Sequence, residues 1–292
     1  MISTNSLSHE EYLRKKRKKK LWKFGGFLFA VILLIGLSSY LSHRIEVRIK
    51  GVELSGGVLV TQDDVETTSL KYLEGSYFWL YPKNNVFWYP HDELEQYLKE
   101  TFRRIDTITI ERNGLQTLVI KIKERKPFAL WCERQSTSVV ASSTEVVSDT
   151  KKQEECYFID QNSTVFAKAP IFSGDAYFKY YGLVASTTES SPIGQEFMAS
   201  TTEFGDISNF VFKAKELKIK PLYIEAKDNG EFSLFVAGGG EIYFDTKEPL
   251  SVVGQNLEAL LRTPVFASST GNLPIEYIDL RYGNKLFYKL KQ

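Results

Sequence analysis

The stretch Ile105–Trp131, IDTITIERNGLQTLVIKIKERKPFALW, decides how the chain is organised. "IDTITIER" and "LQTLVIKIKER" alternate apolar with polar residues, the period of a half-buried strand. Asn113-Gly114 between them is a strong hairpin dipeptide. The pattern then stops at Lys126-Pro127, where proline restricts the residue before it and sets the chain direction, so the boundary between two folding units is expected there. Beyond it, "KPFALW" opens a new strand.

Moving upstream, Pro90 opens the helix "PHDELEQYLKETF", whose Leu94, Tyr97, Leu98 and Phe102 share one face. Before it, Thr61 and Asp64 make a capping-box-like start to "TQDDVETTSLKYL", with Val65, Leu70 and Leu73 on its apolar side and Gly75 after it. "RIEVRIKG" alternates Ile45, Val47 and Ile49 with charged neighbours and reads as a strand. The order over 44–125 is therefore β-α-α-β-β. Between the helices lies "SYFWLYPKNNVFWY", with Tyr77, Phe78, Trp79, Tyr81, Phe87, Trp88 and Tyr89. Such a loop can line the core, offer a partner surface or sit among lipid headgroups, and periodicity does not choose between these.

The chain has 292 residues with 43% hydrophobic and 25% charged side chains, enough for two globular units. Its net charge of +1 conceals the basic run "RKKRKKK", Arg14 to Lys20. Phe24 to Leu41, "FGGFLFAVILLIGLSSYL", follows without a charge. As a helix it measures roughly 27 Å, close to the ~30 Å hydrocarbon core of a bilayer. Trp22 and Tyr40 mark its two ends, where amphipathic rings favour the headgroup layer. The reading is a basic tail at 1–22, a membrane span at 23–42 in contact with lipid through 24–41, and an exported remainder. The lysine-rich side stays cytoplasmic by the positive-inside rule. A cleaved signal peptide has a shorter apolar core and a small-x-small site, which "SSYLSH" does not supply. A short lysine cluster beside an apolar span is a topology signal, and no nucleic-acid role is expected.

Downstream, over 126–292, the pattern is mainly strands. Cys132 and Cys156, the only cysteines, flank the Ser/Thr/Glu-rich excursion Glu133 to Glu155, and they face each other if "KPFALWC" and "CYFID" pair. Disulfide and separate thiols both remain open on spacing alone. "CYFIDQNSTVFAKA" reads as a hairpin, and Ala185 to Thr202 as a polar loop. Phe204, Ile207, Phe210, Val211, Ala214 and Leu217 form a helical stripe. "PLYIEAKDNGEFSLFVAGGGEIYFD" gives three strands with turns at Asn229-Gly230 and Gly238 to Gly240, and "PLSVVGQNLEALLR" a last helix. The final "YIDLRYGNKLFYKL", Tyr277 to Leu290, reads as one long, aromatic, proline-free strand at a sheet edge. Such an edge invites another chain to pair with it.

The catalytic inventory is thin. His9, His43 and His91 fall in no ligand or triad spacing, and Gly238 to Gly240 lies in a hairpin turn rather than a phosphate loop after a strand. Asp63-Asp64 is a first-turn pair favoured by the helix dipole. No enzyme, cofactor or metal site is expected.

Taken together, the basic tail, the single span, the β-α-α-β-β module from "IEVRIKG" to "ERKPFALW", the "YFID" strand with its following "VF", and "YIDLRYGN" resemble the bacterial cell-division family FtsQ/DivIB over Leu21 to Lys289. The loops 133–155 and 185–202 and the aromatic loop depart from that pattern. The resemblance implies an α+β protein: a transmembrane helix, a POTRA domain at 44–125, and a mainly antiparallel β domain with two helices at 126–292. It implies a non-enzymatic scaffold at the division septum. Its terminal strand would bind FtsB/DivIC-like proteins that pair with FtsL-like ones, in support of the FtsW/FtsI peptidoglycan synthase. On that basis the partner-binding positions are Tyr277, Asp279, Arg281, Tyr282, Asn284, Leu286 and Tyr288. The other classes are a POTRA protein of a secretion or outer-membrane assembly system, which needs a run of barrel strands, and a wall hydrolase or wall-binding sensor, the first of which needs a catalytic constellation.

Overall fold

The computed structural model describes residues 9–133, 154–172, 174–182, 184, 191–227, 229–266 and 273–291. Most of the excursion between the cysteines and part of the 185–202 loop therefore lie outside the described residues. The chain forms two compact units, Met1–Glu124 and Arg125–Gln292.

In the first unit, α1 (His9–Ser42) is one helix, long and apolar enough over Tyr12–Ser42 to cross a membrane. A 3-10 turn (Ile45–Val47) leads to β1 (Gly51–Ser55), α2 (Gln62–Tyr72), the short ribbon β2 (Ser76–Tyr77) with β3 (Tyr81–Pro82), α3 (His91–Thr101), β4 (Ile105–Asn113) and β5 (Thr117–Glu124). The sheet runs β1-β5-β4, with β1 parallel to β5 and β4 antiparallel to it. Thr61 caps α2 by accepting from the Asp64 N–H at 3.3 Å, which satisfies one of the donors a helix start leaves free. Val65, Leu94 and Leu98 of the two helices are fully buried against Val52, Leu118 and Ile120 of the sheet.

The strand expected at Ile45 to Ile49 begins later. That segment hooks onto the aromatic loop instead: the Ile49 N–H donates to the Asn84 carbonyl at 2.7 Å and the Val86 N–H to Val47 at 2.9 Å. The sheet slot is taken from Gly51 onward, in register with Thr117. Alternation suggested extended backbone from Ile45, but Ile45–Val47 coils into a 3-10 turn and only Arg48 bridges, to Asn85.

After β1 the chain turns so tightly that Gly56 has φ 91°, and a Cβ there would stand 2.2 Å from the Ile122 carbonyl oxygen. The following backbone is gathered by one carboxylate. Glu124 Oε1 accepts the N–H groups of Val58, Leu59 and Val60 at 2.7, 2.8 and 2.9 Å. Burial alone raises the Glu124 pKa, but these three donors together with Arg104 outweigh it, and the net shift is downward. A folded-state pKa below the unfolded one means stability that is present above the ordinary carboxylate range and lost as pH falls through the lowered value. Glu124→Gln is expected to cost about 1–3 kcal/mol near neutral pH, and to flatten the acid limb of the stability curve. Equal stability of the two proteins at pH 7 in chemical denaturation would remove this role.

The second unit is built on a nine-stranded sheet. Its elements are β6 (Ala129–Cys132), β7 (Cys156–Ile159), β8 (Val165–Lys168), β9 (Lys179–Tyr181), α4 (Thr201–Glu216), β10 (Pro221–Ala226), β11 (Glu231–Val236), β12 (Gly240–Asp245), α5 (Leu250–Leu261), β13 (Ile275–Tyr282) and β14 (Lys285–Leu290). The spatial order is β14-β13-β12-β11-β10-β9-β6-β7-β8. Most neighbours are antiparallel. The pairs β6/β9, β9/β10 and β12/β13 are parallel, and α4 and α5 make the crossovers of the last two. Phe204, Ile207, Phe210 and Val211 of α4 and Val253 and Leu257 of α5 cover Ile224, Leu234, Ile242 and Ile278. A smaller cluster of Leu130, Cys132, Phe158, Phe166 and Ala167 forms a separate core.

Two features brace the start of this unit. Asp160 of the "YFID" segment accepts the Asn162 and Thr164 N–H groups at 2.8 and 2.9 Å, closing the β7–β8 turn, and forms an ion pair with Arg125. Cys132 and Cys156 are opposite each other in the β6/β7 ladder and are joined as a disulfide.

Candidate functional site

The terminal stretch forms two strands, not one. Its period-2 pattern continues on both sides of Gly283-Asn284, but Gly283 adopts φ 62°, and Tyr282 pairs with Lys285 across the turn. Glycine first is what a two-residue turn needs when its first position has positive φ. The last strand, β14, thereby folds back on β13 and becomes the end of the sheet.

Alternate N–H and C=O groups of β14 point away from β13, and among the described residues no strand lies beyond them. The other end of the sheet is different. There Val165 of β8 donates to the Gln195 carbonyl at 2.8 Å and accepts from Gly194 at 2.6 Å, and Thr164 bridges Glu196, so residues 194–196 pair with the start of that edge. β14 carries no proline, and Lys285 and Lys289 are its only charges, so it has few of the devices that blunt an edge. Lys289 is occupied by Glu276 at 2.7 Å.

The side chains give the edge two distinct faces. Leu286 packs on the main core, and the Tyr288 ring lies 5.3 Å from Phe266, so both support the strand from the helix side. Phe287 is exposed and meets Tyr282 edge to face at 5.3 Å. At the turn, the Asn256 side-chain amide of α5 donates to the Gly283 carbonyl at 3.0 Å. Beside it opens a cleft of about 420 Å³ between Glu248, Val252, Val253 and Asn256 on one wall and Tyr282 to Asn284 on the other. Val252 is exposed on that wall.

Tyr277, Asp279 and Arg281 are placed otherwise. They lie on β13, one strand in from the edge, where β12 and β14 already use the backbone. Asp279 takes the Arg281 guanidinium at 2.9 and 2.6 Å, Arg281 reaches Glu231 on β11 at 2.7 Å, and the guanidinium stands 5.4 Å from the Tyr243 ring. Burial disfavours the Asp279 charge, yet the Arg281 hydrogen bonds outweigh it and hold the carboxyl below the usual aspartate range. Burial and the neighbouring Glu241 push the Tyr243 hydroxyl up to about 12. This network ties β11, β12 and β13 together behind the edge. Arg281→Ala is therefore expected to lower stability of the second unit by about 1–3 kcal/mol, since it strands the buried Asp279 carboxylate. An unchanged Tm would show that the network is incidental.

The structure thus gathers Tyr282, Asn284, Leu286 and Tyr288 at the open end of the sheet and sets Tyr277, Asp279 and Arg281 behind them. Reasoning from sequence missed Val252, Asn256 and Phe266. Asn256 was visible as the amide interrupting the apolar run of α5, but nothing local linked it to a turn 27 residues away. As to metals, the Glu154 carboxylate lies near Cys132 and Cys156, but the two sulfurs are bonded to each other and so are not thiolate ligands.

Residues 47–125 match the family described as POTRA domain, FtsQ-type. No curated protein matches the chain. An FtsQ-type POTRA domain behind an apolar helix long enough to cross a membrane supports an FtsQ/DivIB-like single-span protein, and the fold is mixed α+β.

Proposed function

We propose that this FtsQ/DivIB-like protein is a division scaffold whose strand β14 accepts an extended segment of an FtsB/DivIC-like partner, itself paired with an FtsL-like protein. The FtsQ-type POTRA family is one of non-enzymatic scaffolds that act through protein–protein contacts in cell division. The observation that supports strand addition is the asymmetry of the large sheet: residues 194–196 pair with the start of β8 at one end, while at the other no described segment pairs with the outer side of β14. An added strand completes its hydrogen bonds there, each worth roughly 0.5–1.5 kcal/mol net, and alternate side chains give selectivity. Leu286 and Tyr288 hold the strand from within, while Phe287, Tyr282 and the cleft beside Val252 face the newcomer.

The placement follows from the same reading. The basic tail is cytoplasmic, the POTRA domain ends near Lys126-Pro127, the β domain is exported, and the protein acts at the septum in support of the FtsW/FtsI synthase. In the nine-stranded sheet β14 and β8 are the two end strands and do not pair with each other, and two helices cover the sheet, which argues against the closed barrel of an outer-membrane assembly protein.

Amide hydrogen exchange tests the proposal on the full-length protein. Adding the partner's extended segment is expected to slow exchange at alternate amides of 285–290 and to leave 165–168 unchanged. Protection appearing at β8, or nowhere in the sheet, would overturn strand addition to β14.

A further inference from the structure

The aromatic loop between α2 and α3 joins the core only in part, through Val86 and Tyr89. Tyr89 is buried, but Phe78 and Trp79 at the tip of the β2/β3 ribbon are 88% and 92% exposed, and Phe87 and Trp88 are exposed beside them. Tyr77 pairs with Tyr81 across the tip, and both Phe78 and Trp79 hold positive φ, 48° and 59°. For bulky L-residues that region is rarely occupied, and the cost of occupying it does not bring these rings any burial within the protein.

The same ribbon is fastened to the end of α1. The Ser39 hydroxyl donates to the Leu80 carbonyl at 2.7 Å, Ser38 Oγ and Tyr81 Oη share a hydrogen bond of 2.7 Å, and the Asn85 amide donates to the Ser42 carbonyl at 3.0 Å. Ser38 and Ser39 lie within the uncharged part of the helix, six and five residues before Arg44, the first charge after Lys23. At ~1.5 Å per residue that is roughly 8–9 Å inside the charge boundary, the depth of a bilayer's headgroup and upper acyl layer. Arg44 stacks over Tyr40 at 5.6 Å and Lys83 over Tyr77 at 5.7 Å, which places cations around the same level. The acidic Glu46 and Glu74 are also nearby in sequence.

We infer that the ribbon tip, through Phe78 and Trp79 with Trp88 beside them, inserts into the outer face of the bilayer that α1 crosses. The occupant of this apolar surface is lipid because the surface is continuous with the uncharged flank of the helix. Aromatic rings at such a level bury their apolar body in lipid and keep their polar edge wet. The first unit is then held by two contacts, the span and the ribbon, and cannot swing freely about the residues after Ser42. This does not depend on strand addition at β14.

Tryptophan quenching in the full-length protein tests it. The chain has four tryptophans, of which Trp131 is buried and Trp22 marks the opposite end of the span. In phosphatidylcholine nanodiscs whose lipids carry bromine high on the acyl chain, the emission removed by Trp79→Phe with Trp88→Phe is expected to be emission that the bromolipid quenches and aqueous iodide spares. Iodide quenching of that component without loss in bromolipid would overturn the inference and leave the surface to water or a protein partner. Trp22→Phe should remove a second bromolipid-quenched component. If it does not, α1 does not span the bilayer and the inference falls with it.

Discussion

Single prolines at Leu286 and Phe287 are expected to separate binding from folding. Successive N–H groups on a strand alternate between its two edges, so one of these neighbours donates toward β13 and the other outward. Proline at the outward position removes a donor that the fold does not use and bends the strand away from its partner. Losing two or three partner hydrogen bonds at roughly 1 kcal/mol each weakens binding by about 2–3 kcal/mol, or ~30- to 150-fold in Kd, with Tm nearly unchanged. Proline at the inward position should instead lower Tm. Tyr282→Lys, which alters a side chain beside the cleft without touching the ladder, is expected to cost about 1–3 kcal/mol of binding. Co-purification and titration with the partner segment read all three variants. If both prolines leave Kd within a factor of about two while the Trp79 and Trp88 variants lose binding, the partner site lies in the first unit. Truncation before Lys285 is a poorer test, because it uncovers β13 and so creates a new edge.

The other large effect concerns the disulfide. Cys132 and Cys156 close a loop with a sequence separation of 24. On the chain-entropy account this stabilises the second unit by about 3 kcal/mol, and Tm is expected to be lower by ~6–12 °C in the Cys132→Ala, Cys156→Ala protein. Both residues belong to the smaller core with Leu130, Phe158 and Phe166, so the alanines also lose packing, and reduction of the wild-type protein should give the lesser drop. Binding at β14 should survive either treatment at temperatures where the unit remains folded. The bridge joins β6 to β7, whereas β14 lies at the far end of the sheet order. A Tm unmoved by reduction would show that the ladder alone holds these strands.

What the sequence determined by itself was local in origin. The uncharged run Phe24 to Leu41, the Thr61 cap, the Asn113-Gly114 hairpin and the stripe from Phe204 to Leu217 each rest on residues within a few turns or pairs of one another, where periodicity and capping chemistry act. They were enough for a single span, a β-α-α-β-β module and a strand-rich unit with two helices. Tertiary structure decided where extended segments go. Val47 and Ile49 alternate as a strand should, yet their backbone is claimed by Val86 and Asn84 rather than by the sheet. Lys179 to Tyr181 became a strand because β6 and β10 flank it, not because so short a run announces one. At the terminus, alternation is blind to direction: Gly283 let the chain reverse, moved Tyr277, Asp279 and Arg281 behind the edge, and left β14 outermost. The pairing at the β8 end depends on residues 194–196 meeting Val165, and the placement of the ribbon on Leu80 meeting Ser39. Both are contacts between residues far apart in the chain, and hydrogen bonds of that kind have no signature in the order of neighbouring residues.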